Sequence, residues 1–380
     1  MNDRPYDVVM FGATGFTGAL TAQYLVENAG EARVALAGRN REKLEKLDTG
    51  LPLLHADVEE PDSLREMAEA ARVVITTVGP YIKYGEPLVA ACTEAGTDYV
   101  DLTGEPEFVD LMYVRYHARA QETGARIVHC CGFDSIPHDL GAYFTVKQLP
   151  EGVPIKVEGF VRAGGSLSGG TFESALLGFS RVRQYAKARG ERKRIEPRAD
   201  GRKVHGIKGV PKRQSSLGAW ALPMPTIDPQ VVLRSARALD RYGPDFSYGH
   251  YIALKQLPVA VGLPVGMAGL FAAAQVPPAR RWLLSRRKPG EGPSPEQRAK
   301  AWFKVRFEGE GGGKRVATQV SGGDPGYGET SKMLSEAALC LAQDELPETA
   351  GQVTTAAAMG DALIERLERA GIAFEVLKRS

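Results

Sequence analysis

Residues 6–18, YDVVMFGATGFTG, place a glycine-rich turn directly after an apolar strand. The glycines Gly12, Gly15 and Gly18 follow a G-x-x-G-x-x-G spacing, and the residues after them have helical composition. Such glycines admit a tight turn, let backbone N–H groups approach a pyrophosphate and let the helix pack closely on the strand. The stretch therefore predicts the first unit of a Rossmann domain, rather than a plain strand-to-helix turn with accidental glycines.

Short apolar runs continue to alternate with helical patterns up to about residue 130, which is typical of a parallel sheet with crossover helices. Six candidate strands cover residues 6–11, 33–37, 51–56, 73–78, 98–102 and 125–129. The sequence thus predicts an α/β fold with an N-terminal, doubly wound Rossmann sheet.

The 380 residues are too many for one ordinary core, so we expect two domains. Residues 1–140 are predicted to bind NADP(H). Residues 141–380 are predicted to form an α+β substrate domain, because the strand-like runs 155–163, 302–311 and 314–322 lie among glycine-rich connections. Helices at about 327–370 would pack back on the Rossmann domain.

The choice of nicotinamide cofactor is usually made at the end of the second strand, where an acidic residue binds the ribose of NAD(H). Here Arg39 stands 21 residues after Gly18. A guanidinium at this place would pair with a 2′-phosphate, so NADP(H) is favoured over NAD(H). The alternative is that Arg39 faces solvent and both cofactors bind.

The other predicted cofactor contacts follow from the rule that ligands lie at the carboxyl ends of parallel strands. Asp57, after the third strand, would meet the adenine amino group. Residues after the fourth strand would border the ribose and nicotinamide. The full predicted set is Gly12, Ala13, Thr14, Gly15, Phe16, Thr17, Arg39, Asp57, Val78, Gly79 and Pro80.

Charge, cysteine content and the N-terminus exclude several classes of protein. A formal net charge of +2 does not suggest a nucleic-acid partner. The four cysteines form no CxxC pair, so neither a zinc cage nor a disulfide framework is predicted, and we expect no metal site. The N-terminus lacks the pattern of a signal peptide, and we therefore expect a cytoplasmic protein.

Several long segments resemble the saccharopine dehydrogenase-like oxidoreductases, in particular the branch that contains the trans-acting enoyl reductases. The similar segments are GATGFTG (12–18), LAGRNREKL (36–44), VGPYIKYGEPLVAAC (78–92), YVDLTGEPEF (99–108), YHARA (116–120) and CGFDSIPHDLG (131–141). The resemblance implies a Rossmann domain completed by an α+β domain, NADPH-type cofactor use, and lipid or polyketide substrates reduced at a C=C bond. It is looser after residue 141.

Enoyl reduction also needs a proton donor. Tyr81 and Tyr84, just beyond the fourth strand, are the candidates, with aromatic packing over the nicotinamide as their alternative role. Asp134, Ser135, His138 and Asp139 form a polar cluster at the predicted hinge between the domains. The cluster lacks the G-x-S-x-G pattern of a hydrolase, which favours a helix cap and hinge, with Ser135 or Asp139 as the cap. A contact with the nicotinamide is the alternative.

Two further segments bear on partners. Residues 257–276 carry no formal charge and are followed by basic residues up to Lys288. Segment 257–288 would contact the inner face of a membrane or cover an acyl tunnel, as a hairpin or a buried helix, or else be an ordinary core or homodimer segment. Residues 181–213 contain 13 basic and 3 acidic residues, which is compatible with a solvated face or with docking of an acyl carrier protein.

Three functions remain open at this point. The first is an NADPH-dependent, trans-acting enoyl reductase of an unsaturated acyl or polyketide lipid intermediate. The second is a lipid-associated Rossmann-fold protein without turnover. The third is a saccharopine-type amino-acid dehydrogenase.

Overall fold

The computed structural model describes residues 4–165, 169–197, 201–285 and 292–379. Up to residue 147, strands and helices alternate almost without exception. The strands are β1 (Tyr6–Phe11), β2 (Val34–Gly38), β3 (Leu53–His55), β4 (Ala71–Thr76), β5 (Asp98–Asp101) and β6 (Arg126–Val128). The helices are α1 (Phe16–Asn28), α2 (Arg41–Glu45), α3 (Pro61–Ala70), α4 (Tyr81–Tyr84), α5 (Glu86–Ala95), α6 (Pro106–Thr123) and α7 (Ile136–Lys147).

After α7 the chain mixes longer strands with helices. The strands are β7 (Ile155–Gly164), β8 (Lys203–Gly206), β9 (Lys212–Gln214), β10 (Ala219–Pro223), β11 (Asp245–Leu254), β12 (Trp302–Gly311), β13 (Lys314–Gly322), β14 (Gly351–Val353) and β15 (Ala373–Arg379). The helices are α8 (Gly169–Ser180), α9 (Val182–Ile195), α10 (Asp228–Ala238), α11 (Leu257–Gln275), α12 (Pro277–Ser285), α13 (Pro295–Ala299), α14 (Gly328–Gln343), α15 (Thr355–Ala358) and α16 (Gly360–Arg369).

The first sheet has the parallel, doubly wound order expected from the sequence. Its strands lie in the order β14-β6-β5-β4-β1-β2-β3, and all neighbours pair in parallel. Strands β2 and β3 lie on one side of β1, whereas β4, β5 and β6 lie on the other. Because the crossover connections run in opposite directions from this point, a crevice opens at the carboxyl ends of β1 and β4. A Rossmann sheet of this kind is confirmed.

The sheet has one strand more than the six predicted. The additional strand, β14, comes from the far end of the chain and pairs with β6 through Gly351–Val353. It is only three residues long, so no alternating or apolar run marks it in the sequence.

The second sheet is mixed, with the order β15-β13-β12-β7-β11-β10-β9, and β8 pairs with β11. Helix α7 packs against it so closely that a β-carbon on Gly141 would lie 2.3 Å from Cε2 of Phe307. The second sheet and its helices confirm the predicted α+β part of the fold. The predicted domain boundary at residue 140 falls inside α7 and stays a prediction.

The C-terminal helix α14 packs back on the first sheet. The Tyr24 hydroxyl of α1 donates to Glu336 of α14 at 2.7 Å, and Arg126 of β6 donates to the Leu341 carbonyl at 3.0 Å. One hydrophobic core therefore runs continuously from β1 through α14 and α7 to β12.

The buried Asp139 carboxylate joins three helices. It accepts hydrogen bonds from the Ser235 hydroxyl of α10 at 2.5 Å, and from the Thr355 hydroxyl and Ala356 N–H of α15 at 2.7 and 2.8 Å. The predicted helix cap is wrong, since Asp139 lies inside α7 and Ser135, although at the N-cap position, makes no side-chain cap bond. Burial raises the pKa of Asp139 to about 6, against the opposing effect of its three donors.

Replacing Asp139 by alanine should lower the free energy of unfolding by about 2–4 kcal/mol, because three buried donors lose their acceptor. Urea denaturation measures this change. The matched control is Asp361→Ala, because Asp361 is half-exposed, pairs with Lys147 at the surface and should cost at most about 1 kcal/mol.

The stability should also depend on pH through Asp139. Because the folded pKa lies above the unfolded value of 3.8, folding favours the protonated carboxyl. This contribution is fully present below the unfolded pKa and is lost as the pH rises through about 6. If Asp139→Ala and the wild type had equal free energies of unfolding both below the unfolded pKa and above a pH of about 6, the structural role of Asp139 would be contradicted.

Candidate active site

At two positions of the glycine turn after β1, the backbone conformation or the available space admits only glycine. Gly12 has φ of +91°, and a β-carbon there would lie 2.8 Å from Cγ2 of Val78. A β-carbon on Gly18 would lie 2.1 Å from the Gly12 carbonyl oxygen. The absence of both β-carbons brings α1 against β1 and fixes the position of the N-terminus of α1.

The N-terminus of α1 is open to a ligand. Gly15 stands at the N-cap, no side chain caps the helix, and its first turn contains no acidic residue. A β-carbon on Gly15 would have only the Gly12 carbonyl oxygen within 4 Å, at 3.6 Å. The first backbone N–H groups and the helix dipole are thus directed at open space, which fits a pyrophosphate.

The other residues of the turn surround this space. Ala13 is buried and Thr14 is exposed, whereas Phe16 and Thr17 are half-buried. The Phe16 ring packs edge-on against Tyr327, with the centroids 4.7 Å apart. The structure thus brings the six predicted turn residues to one loop at the crevice.

Arg39 and Asp57 lie at the ends of the next two strands. Arg39 follows β2 directly and is exposed, whereas its neighbour Arg41 is paired with Glu45 at 3.0 Å. Asp57 follows β3, is half-buried, and accepts a hydrogen bond from the Glu59 N–H at 3.1 Å. Both positions lie on the β2–β3 side of the crevice, where the adenosine half of a dinucleotide would extend from the turn.

Residues 78–80 lie on the other side of the turn. Val78 contacts Gly12, Gly79 is exposed, and Pro80 is buried at the N-cap of α4. Since β4 neighbours β1, this segment lies next to the glycine turn.

The two tyrosines of the following loop differ in environment. The Tyr81 hydroxyl is buried, donates to the Thr76 carbonyl at 3.0 Å and accepts from the Leu102 N–H at 3.4 Å. Burial raises its pKa well above the usual range. These contacts support the packing role for Tyr81, while Tyr84, which is 41% exposed, keeps its hydroxyl within reach of solvent.

Glu105 connects this loop to the second domain. Its carboxylate accepts from the Tyr81 and Ile82 N–H groups at 3.0 and 2.9 Å and from the Ser174 hydroxyl of α8 at 2.8 Å. Burial raises its pKa, and these donors oppose the shift. Helix α8 is thereby tied to the segment between β5 and α6.

A cluster of ionisable side chains lies behind the carboxyl ends of β5 and β6. Asp228 of α10 is fully buried; its Oδ1 is 3.2 Å from His138 Nδ1, and its Oδ2 is 3.4 Å from His250 Nε2. The Tyr248 hydroxyl lies 3.1 Å from the other ring nitrogen of His250, and the Thr226 hydroxyl donates to Asp228. We refer to Asp228, His138 and His250 as the His–Asp–His cluster.

The His–Asp–His cluster brings three nitrogen and oxygen atoms within 4.8 Å of one another. Each imidazole has one nitrogen at ion-pair distance from the carboxylate, but neither of these two nitrogens makes a hydrogen bond within the described residues. The predicted absence of a metal stays a prediction.

Asp134 lies in the segment between β6 and α7, four residues before His138. It is half-buried, and a β-carbon on Gly104 would lie 3.6 Å from its Oδ2, so its carboxyl lies over the loop after β5. Burial and then the charge of Asp228 raise the pKa of Asp134 to about 8. The contacts with His138, His250 and Thr226 outweigh burial at Asp228 and hold its pKa well below the usual range. Burial lowers the pKa of His138 to about 4.

Three residues near the crevice were not predicted. Asp228 and His250 lie far from His138 in the sequence. Because only folding brings the three side chains together, no sequence motif marks them. The Arg298 guanidinium lies 5.9 Å from the Phe16 ring centroid, beside the phosphate-binding turn. A lone arginine in a polar segment gives no sequence signal for such a position.

Comparison with known proteins identifies relatives of the whole chain. Residues 8–128 match the family described as the saccharopine dehydrogenase NADP binding domain. A Mycobacterium tuberculosis protein, provisionally named a trans-acting enoyl reductase, is 39% identical over 99% of this chain and 98% of its own. The trans-acting enoyl reductase of Mycobacterium ulcerans is 35% identical over 97% of each chain.

The fold also has a counterpart among solved structures. Saccharopine dehydrogenase (L-Glu forming) of Saccharomyces cerevisiae superimposes with a TM-score of 0.57 over 99% of both chains, at 13% sequence identity. At this identity the likeness concerns the fold alone. It shows that the arrangement of a Rossmann sheet with a second, mixed sheet is shared.

Replacing Arg39 by alanine should weaken NADPH binding about 10- to 100-fold, because a charged hydrogen-bond donor to the 2′-phosphate is lost. NADH binding should change little. Cofactor fluorescence titration measures both dissociation constants. Arg41→Ala is the matched control, since Arg41 is engaged by Glu45, and an unchanged NADPH to NADH ratio in Arg39→Ala would contradict the assignment.

Proposed function

The chain belongs to the saccharopine dehydrogenase-like family of the trans-acting enoyl reductases, and we propose that it reduces a C=C bond of an acyl or polyketide lipid intermediate with NADPH. It is an NAD(P)-dependent oxidoreductase with an NADP-binding domain. The observation that carries the finer proposal is the similarity to enoyl reductases over nearly the full length of both chains, including the second domain.

The residues of the crevice have distinct parts in this proposal. The turn from Gly12 to Thr17 binds the pyrophosphate through backbone N–H groups. Arg39 pairs with the 2′-phosphate, Asp57 meets the adenine, and residues 78–80 border the nicotinamide ribose. The bound cofactor supplies a hydride at the nicotinamide, whose place follows from the strand order. NAD(H) lacks the group that Arg39 would bind.

The two alternatives are less well supported. A saccharopine-type dehydrogenase would act on a small charged amino acid, whereas the second domain exposes an extended apolar helix. A lipid-associated protein without turnover would not need the uncapped N-terminus of α1, which is intact here.

The test is to purify the protein and follow NADPH fluorescence, first on binding and then with enoyl thioesters or with 2-oxoglutarate and lysine. We expect binding, and NADPH oxidation only with the enoyl thioesters. Failure to bind NADPH would contradict both enzymatic readings. Oxidation with 2-oxoglutarate and lysine alone would favour the amino-acid dehydrogenase.

Helix α11 differs from the predicted hairpin or buried helix. It runs without interruption from Leu257 to Gln275 with Pro264 inside it, and only Ala260 and Ala274 are buried. It is the single helix in the described part of the chain that is long and apolar enough to cross a membrane, with a mean hydropathy of 1.8 and 11% of the window buried. The hairpin and core interpretations are therefore wrong.

We infer that α11 lies against a lipid surface. Apolar side chains are exposed on all sides of the helix, including Val261 at 61% and Val265 at 71%. Arg280 and Arg281 of α12 follow, where they would meet anionic headgroups. Residues 286–288 of the predicted contact segment lie outside the described residues. A peripheral position at the cytoplasmic face would bring the crevice to lipid intermediates.

An acyl carrier protein is a further candidate partner. Part of the basic segment 181–213 is used internally, as Arg181 pairs with Glu107 at 2.7 Å and Arg192 with Glu196 at 2.8 Å. On α9, Arg183, Lys193 and Arg194 remain exposed and would suit an acidic carrier. Residues 198–200 of this segment lie outside the described residues, and a homodimer stays a prediction.

The variant Val261→Asp/Val265→Asp should bind anionic liposomes at least about 100-fold more weakly than the wild type, because two apolar side chains can no longer leave water. Co-sedimentation measures the binding. Val210→Asp is the matched control, since Val210 is 66% exposed outside α11. Equal sedimentation of all three proteins would exclude a lipid contact through α11.

A further inference from the structure

The carboxyl ends of the parallel strands define the order of groups along the crevice. The phosphate-binding turn follows β1, residues 78–80 follow β4, the loop with Gly104 follows β5, and the segment with Asp134 follows β6. Asp134 reaches back over Gly104, one strand beyond the place of the nicotinamide. A substrate that receives a hydride from the nicotinamide would lie at this point.

Asp134 has the surroundings of an acid rather than of a surface carboxylate. Asp134 is half-buried, whereas His138, Asp228 and His250 are 1%, 0% and 6% exposed. Asp134 stands four residues before His138, whose Nδ1 lies 3.2 Å from Asp228 Oδ1, and the charge of Asp228 adds to burial in raising the pKa of Asp134. When two carboxyl groups share a buried site, the better stabilised one ionises first and the other keeps its proton.

The stabilised partner is Asp228. It has both histidines at ion-pair distance and the Thr226 hydroxyl as a donor. By contrast, none of the described side chains donates a hydrogen bond to the Asp134 carboxyl group. The asymmetry assigns the charge to Asp228 and the proton to Asp134.

We propose that Asp134 is the proton donor of the reduction, and that Asp228, held by His138 and His250, is a positioning residue that keeps the proton on Asp134. The inference rests on the proposed enoyl reduction and names the acid that this reaction needs. Asp134 thereby replaces Tyr81 as the donor, because the Tyr81 hydroxyl is buried and engaged at the Thr76 carbonyl.

The proposed reduction adds a hydride and a proton to the two carbon atoms of the C=C bond. The β-carbon of the enoyl thioester accepts a hydride from NADPH, which is oxidised to NADP⁺, and the C=C π bond breaks. The O–H bond of Asp134 breaks, and its proton forms the new C–H bond at the α-carbon. Asp134 is left as a carboxylate and regains a proton from water, to which its half-buried side chain has access.

The pH dependence follows from the groups that face this site. Burial first, and the charge of Asp228 second, raise the pKa of Asp134 to about 8. A protonated donor is therefore present at neutral pH and is lost as the pH rises through about 8. The titratable groups packed around the cluster are Asp134, Cys130 and His138 from the segment after β6 and α7, Asp228 from α10, and Tyr248 and His250 from β11.

The first test is the pH profile of kcat/KM for NADPH oxidation by an enoyl thioester. The wild type should lose activity above about pH 8. Asp134→Asn should lower kcat about 100-fold or more and lose this basic limb, because the acid is gone. Asp228→Asn should move the limb to lower pH, since the charge that holds the proton on Asp134 is removed. Asp361→Asn, on the surface, is the control for loss of one carboxylate.

The second test needs no turnover. Infrared spectroscopy of the purified protein should show a protonated carboxyl at neutral pH that titrates near pH 8 and is missing in Asp134→Asn. NADPH binding by fluorescence establishes that this variant is folded and keeps its cofactor site. A protonated carboxyl band of equal size in both proteins would overturn the proposal, even if Asp228→Asn failed to fold.

The outcomes separate this inference from the proposed function. If the wild type fails to oxidise NADPH with every enoyl thioester tested, the proposed enoyl reduction and the proposed proton donor are both excluded. If the wild type is active and Asp134→Asn keeps its rate and pH profile, only the proton donor is excluded. A divalent metal bound in stoichiometric amount by the wild type and lost in His250→Ala would also overturn it, because the cation would neutralise Asp228.

Discussion

The close approach of α1 to β1 at the glycine turn determines the rest of the structure. With a β-carbon on Gly18 only 2.1 Å from the Gly12 carbonyl oxygen, any larger residue would separate helix and strand. The contact directs the uncapped N-terminus of α1 into the crevice. It also fixes the face of α1 on which α14 packs, through the bond from Tyr24 to Glu336. The position of the uncapped end of α1 and the packing of α14 on α1 thus depend on the same two glycines.

The Rossmann part of the fold could be predicted because its information is local. Each of the six strands is a short apolar run next to a helical pattern, and the strand order of such units restricts where a ligand lies. Arg39 and residues 78–80 were placed at the crevice by this rule alone. Their individual contacts with the cofactor are not determined by the strand order and stay predictions.

The missed features depend on contacts between distant parts of the chain. Strand β14 is three residues long and is stabilised by its partner β6, so no intrinsic pattern marks it. The His–Asp–His cluster draws on α7, α10 and β11, which only the folded second domain brings together. For residues 257–276 the sequence left open a lipid contact, the cover of an acyl tunnel and an ordinary core or homodimer segment, because composition alone does not distinguish a core from an exposed apolar surface.

The proposed reaction transfers a hydride to the β-carbon of an enoyl thioester, and isotope tracing follows that hydride into the product. The protein would be incubated with an enoyl thioester and NADPH deuterated at the transferred position, and the product examined by mass spectrometry and NMR. If the proposed hydride transfer is correct, the product carries one deuterium at the β-carbon and a hydrogen from solvent at the α-carbon. NADPH that is bound but yields no deuterium in the acyl product, while 2-oxoglutarate and lysine give a labelled secondary amine, would contradict it.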